Sequence, residues 1–163
     1  MRWLLAAVLA GCMASPKQIF LDPGTQLDDE DTHLVADITM GTYEDYREIN
    51  ESPEITDEQM DAIHAVPIYV VRCDECEELY ESGSDAELAR TSIARVEGED
   101  VPYIALHSFI SREQHLRNNL PHEYGHVIDW IVREKSDPDH EDWLMWTAIV
   151  PEAIIRVKNA LED

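Results

Sequence analysis

Two histidines four residues apart, His122 and His126, with Glu123 directly after the first, restrict this chain more than any other feature of its sequence. Imidazoles at that spacing share one face only when the backbone between them is α-helical, so the segment His122-Glu123-Tyr124-Gly125-His126 dictates a helix. Such a face offers two nitrogen donors to a single metal ion. The carboxylate beside them can accept a proton from metal-activated water, which is the chemistry of a hydrolase. Zinc suits this donor set, at one Zn2+ per chain. Gly125 keeps the inner face of the helix narrow. Asp129 is three residues beyond His126, where its carboxylate could orient an imidazole without touching the ion.

A catalytic zinc site has three protein ligands and one open position. The third candidates are His140, Glu141 and Glu152. Asn118 or Asn119 can cap the motif helix with Pro121 in its first turn, and apolar Val127, Ile128 and Ile131 carry it to about Lys135. Ser136-Asp137-Pro138 then breaks it, and Asp137 with Pro138 can start a second helix bearing Trp143, Leu144, Trp146, Ile149, Ile154, Ile155, Val157 and Leu161. The tryptophans read as core among apolar neighbours. If the two helices run antiparallel about Asp137, the rise of about 1.5 Å per residue brings Glu152 level with His122 and leaves His140 and Glu141 near the turn. Glu152 is then the expected third ligand, unless residues 136–142 fold back onto the site.

Upstream, Thr56-Asp57-Glu58-Gln59 matches a capping box before Met60, Ala62 and Ile63, predicting a short helix that Pro67 ends. Residues 67–72 and 101–107 read as strands, and Ser92–Val96 joined through Glu97-Gly98-Glu99-Asp100 to Val101–His107 reads as a hairpin. The fold class expected is α+β, a single domain with a small mixed sheet, a motif helix and a C-terminal glutamate-bearing helix. Cys73 and Cys76 follow the first strand. In an oxidising compartment they are expected to form a local disulfide, ahead of a redox role, because Asp74 and Glu75 between them disfavour a thiolate.

His122 to Asp129, HEYGHVID, is similar to the motif segment of gluzincin metallopeptidases related to the anthrax lethal factor catalytic domain. Glu152-Ala153 with Arg156 is similar to their later glutamate-bearing helix. The resemblance covers about the last third of the chain. It implies a zincin-like fold and a zinc endopeptidase acting on peptide or protein substrates, with His122, His126 and Glu152 as ligands and Glu123 as general base. No tyrosine follows Tyr124, so the family's oxyanion donor has no counterpart here, and Tyr103, His107 and His115 are the candidates for that role.

With 35 acidic against 12 basic residues the formal charge is -23, which excludes nucleic acid as a partner, since phosphate binding needs clustered cations. The opening MRWLLAAVLAGC has one cation and an apolar run too short to span a bilayer. Leu9-Ala10-Gly11-Cys12 resembles the lipobox of bacterial lipoproteins, which implies lipidation at Cys12 and an anchor in the cell envelope; Met13 after it points to the outer membrane. Residues 1–11 read as the signal peptide, 12–34 as an acidic flexible tether and 35–163 as the folded domain. Two other functions stay open: a zinc-binding envelope lipoprotein that cleaves nothing, and a thiol-disulfide protein working through Cys73 and Cys76. A purely structural zinc site calls for four protein ligands and no base, which Glu123 argues against.

Overall fold

The computed structural model describes residues 20–21, 27–49, 51–136 and 139–162. The signal peptide and Cys12 lie outside them, as do Asp137 and Pro138. The chain is α+β with a small mixed sheet, and its contacts gather into two compact units. One holds β1 and Val66–Ile110; the other joins the helices before and after that stretch.

The sheet unit is built from β1 (Phe20–Leu21), β2 (Ile68–Arg72), helix α3 (Asp74–Glu81), β3 (Ala89–Val96) and β4 (Glu99–His107). Strand order is β1-β2-β4-β3, with β2 parallel to β4 and the other two pairings antiparallel. The predicted hairpin is present and longer at both ends, pairing from Ala89↔Leu106 to Val96↔Glu99, so that Glu99 and Asp100, expected in the connection, belong to β4. Glu97 and Gly98 turn it with φ of 54° and 94°, the left-handed backbone that a two-residue hairpin loop needs. Val71, Ile104 and Leu106 are among its buried side chains.

The helical unit opens with α1 (Asp29–Arg47), which begins inside the stretch assigned to the tether. Asp28 caps it by accepting the Glu30 N–H at 3.1 Å, and Asp29, Glu30 and Asp31 complement the positive end of the helix dipole. Three threonines disguise its inner face: Thr32, Thr39 and Thr42 are buried with Val35, Ala36, Met40 and Tyr43. The Thr39 and Thr42 hydroxyls donate to the Val35 and Ile38 carbonyls, both at 2.7 Å, so burial leaves neither donor unsatisfied. Helix α2 (Asp57–His64) starts at the predicted capping box, with the reciprocal Thr56 and Gln59 bonds both formed.

The motif helix begins earlier than expected. A continuous run starts with α4 (Arg112–Gln114), widens into a π-helical stretch (His115–Asn119) and continues as α5 (Leu120–Ile131). Pro121 lies in the first turn of α5, as expected, but that turn continues without a break from the π-helical stretch before it. Having no N–H, it cannot serve the Arg117 carbonyl, and its ring would crowd that group in an α-turn. The Leu120 N–H bonds instead to His115, five residues back, which opens the turn ahead of the proline. The same device recurs in the last run, where a π-helical stretch (Met145–Ile149) precedes Pro151 in α6 (Val150–Ala160).

Candidate metal centre

Helix α5 ends at Ile131, short of the expected Lys135. Glu134 takes a left-handed φ of 51°, and the Lys135 N–H donates to the Asp129 carbonyl at 2.9 Å, which closes the helix. The final helical run begins only at Trp143, with Asp142 accepting the Met145 N–H at 3.1 Å. Residues 139–142 are consequently not helical, and His140 has a φ of 57°. The foldback weighed against the helix pair is the arrangement found.

It brings His140 onto the motif. Ligand nitrogens of His122, His126 and His140 lie within 4.8 Å of one another, and His140 Nε2 is 3.1 Å from His126 Nε2. Two imidazole nitrogens on one tetrahedral zinc, at about 2.0–2.1 Å each, stand roughly 3.3 Å apart, so this spacing fits a shared ion. Burial, and next the nearby His140 ring, lower the His122 pKa to about 4, which leaves that ring neutral at pH 7 and able to ligate. Glu123, one residue along, is buried.

Glu152 is not part of this group among the described residues. Its Oε1 accepts from Arg156 Nε at 3.0 Å, one turn further along α6, and Arg156 also reaches Asp45 at 2.6 Å. The expected third ligand is thus held in an ion-pair chain on the helical surface, since α5 ends at Ile131 and the next helical run begins only at Trp143. Glu141 is exposed and is not in the group either.

Trp146 forms a wall behind the three imidazoles, its ring 5.1 Å from His122, 4.4 Å from His126 and 4.3 Å from His140 between centroids. Gly125 permits it: a Cβ there would sit 2.7 Å from Val150 Cγ2 and 3.2 Å from the Trp146 ring. Expected in the core, Trp146 is half-buried at the site, and Trp143 is 73% exposed. Asp129 is 1% exposed and its Oδ1 accepts from Arg133 at 2.7 Å. Arg133 also pairs with Asp142, two residues after His140. Asp129 therefore acts on the segment carrying His140, through Arg133. Trp146, Arg133 and Asp142 were not singled out from sequence as site residues. The i, i+4 spacing of Asp129 and Arg133 was the available signal.

Of the oxyanion candidates, His115 is 1% exposed in the π-helical stretch, with Nδ1 3.0 Å from Asn119 Nδ2. Tyr103 and His107 belong to the sheet unit. Among the described residues no helix is long and apolar enough to cross a membrane. Comparison with protein-family models, with curated proteins and with solved structures returned no match.

Proposed function

We propose that the chain is a zinc-dependent peptidase in which His122, His126 and His140 hold the ion and Glu123 is the general base. The observation that carries this reading is the gathering of three imidazoles beside a buried carboxylate. Three ligands suit a catalytic site, whereas structural zinc is closed by four. When bound, zinc supplies a Lewis acid and an attached water whose pKa falls to about 7.

The chain's own groups do the rest. Glu123 accepts the proton released as water attacks the scissile carbonyl, then passes it to the amine nitrogen that leaves. Trp146 excludes water behind the imidazoles and limits how far their rings can swing. Arg133, buried between Asp129 and Asp142, holds residues 139–142 so that His140 stays over the motif. A zincin-like arrangement of the helical unit and a lipid anchor at Cys12 belong to the same proposal, with the third histidine replacing the glutamate that the gluzincin resemblance implied.

Glu123→Gln tests it. The variant should keep about one zinc per chain by elemental analysis while cleavage of a quenched fluorescent peptide library falls at least about 100-fold. Wild-type rates in this variant would sink the mechanism. Zinc-loaded wild-type protein that cleaves no member of the library would leave a binding lipoprotein as the better reading.

A further inference from the structure

The sheet unit holds a second set of metal-ligating side chains. Strands β2 and β4 are parallel neighbours with Val71 opposite His107, and the Ser108 N–H continues the ladder to the Val71 carbonyl at 2.8 Å. The carboxyl ends of both strands thus open on the same side of the sheet. Cys73 leaves β2 there as the N-cap of α3, its Sγ accepting the Cys76 N–H at 3.2 Å. His107 closes β4 there. The two sulfurs and an imidazole nitrogen lie within 4.8 Å of one another, and all three residues are buried, at 3%, 6% and 3% exposure for Cys73, Cys76 and His107. Phe109 stacks on His107 with centroids 5.7 Å apart and fixes the ring.

Cys73 and Cys76 are joined by a disulfide. It closes a loop too short for chain-entropy stabilisation to be large, so its stabilising effect alone gives little reason for a buried histidine beside it. A thiol-disulfide exchange role is opposed by access, because neither sulfur is open to a protein partner, and by Asp74, Glu75 and Glu77 in the first turn of α3, which disfavour a thiolate. A cation reverses the second objection, since negative charge around the thiolates then stabilises the bound ion.

We propose that this cluster is a redox-gated metal site: on reduction, Cys73, Cys76 and His107 bind one thiophilic divalent cation of the zinc class. A small dithiol supplies two electrons and two protons, so the S–S bond breaks, two thiols form and the reductant becomes a disulfide. Binding the cation then forms two metal–sulfur bonds and one metal–nitrogen bond and releases the two thiol protons. Glu87, whose Oε1 is 3.5 Å from His107 Nε2, is within reach as a fourth donor. A disulfide oxidant reverses the sequence and expels the ion. This site is independent of the peptidase reading.

Cobalt(II) is the probe, added to the full chain before and after reduction by a dithiol that is then removed under nitrogen. With Cys12, the remaining cysteine, replaced by serine throughout, thiolate-to-cobalt charge-transfer absorption reports this cluster alone, since His122, His126 and His140 offer no sulfur. In a chain also carrying His122→Ala to weaken the histidine centre, the expected result is a band saturating at one cobalt per reduced chain, absent from the oxidised chain and abolished by Cys73→Ser. His107→Ala should weaken cobalt binding beyond the roughly 10–100-fold of an outer partner; His107→Gln replaces it if near-UV dichroism shows that the alanine variant is unfolded. No band in reduced protein overturns the proposal, as does a band indifferent to both His107 substitutions. Loss of near-UV dichroism on reduction overturns it equally, because the site needs both strand ends in place.

Discussion

Residue by residue, the centre turns on which side chain joins His122 and His126. An imidazole 3.1 Å from His126 and a carboxylate already paired with Arg156 are not equivalent candidates. Removing a group bound directly to the ion costs more than the roughly 10–100-fold typical of an outer partner. His140→Ala should therefore lower zinc affinity more than about 100-fold in a chelator competition, while Glu152→Ala changes it less than about 10-fold. The opposite ranking would restore Glu152 to the site and overturn the assignment of His140. The preference is also local in origin. His140 holds a left-handed backbone that a non-glycine residue adopts at a cost, and the Arg133 bridge supplies the surrounding order that keeps it there.

Between elements, the narrowest approach is that of α5 to the last helical run at Gly125. A methyl group placed there would meet Val150 Cγ2 at 2.7 Å, and Val150 is itself buried. Overpacking of this kind costs about 1–3 kcal/mol, against up to about 1 kcal/mol gained when alanine replaces glycine in a helix. With the full helix gain subtracted, Gly125→Ala should accordingly lower Tm, by up to about 8 °C in a chain of this size. An unchanged or raised Tm in calorimetry would show that Val150 and Trp146 give way freely. Much of this scale was legible in the sequence. The imidazole spacing, the Thr56 capping box, the Glu97–Gly98 hairpin and the Cys73–Cys76 disulfide are short-range features, and each is present. What escaped depends on other parts of the chain. Helix α1 hid because its first turn falls within the acidic stretch read as tether and its inner face carries Thr32, Thr39 and Thr42, whose hydroxyls are satisfied by the helix's own carbonyls. The path of residues 139–142 follows tertiary ion pairs from Arg133. The two π-helical stretches each add a residue to a turn, which rotates everything before the proline by about 100° relative to an ideal α-helix wheel.

Over the whole molecule, the dominant quantity is the formal charge of -23. Self-repulsion at that charge opposes compactness, and salt shortens its reach from about 30 Å at 0.01 M to about 8 Å at 0.15 M. Raising sodium chloride across that range should increase Tm by about 2–4 °C, equivalent to about 1 kcal/mol. A fall in Tm would mean that exposed ion pairs such as Arg72–Asp74 and Arg95–Asp100 outweigh the repulsion. The two units also differ in the order in which a ribosome can complete them. Most of the sheet unit is one uninterrupted stretch, and its hairpin and disulfide join residues close in sequence. The helical unit is split around it: α1 emerges early, yet most of its contacts are with α5 and α6 and the π-helical stretches before them, which are made last. At about 5–20 residues per second, the buried face of α1 waits several seconds without its partners during synthesis. All three histidines of the proposed centre belong to that late portion, so its donor set is complete only once the last third of the chain has been made.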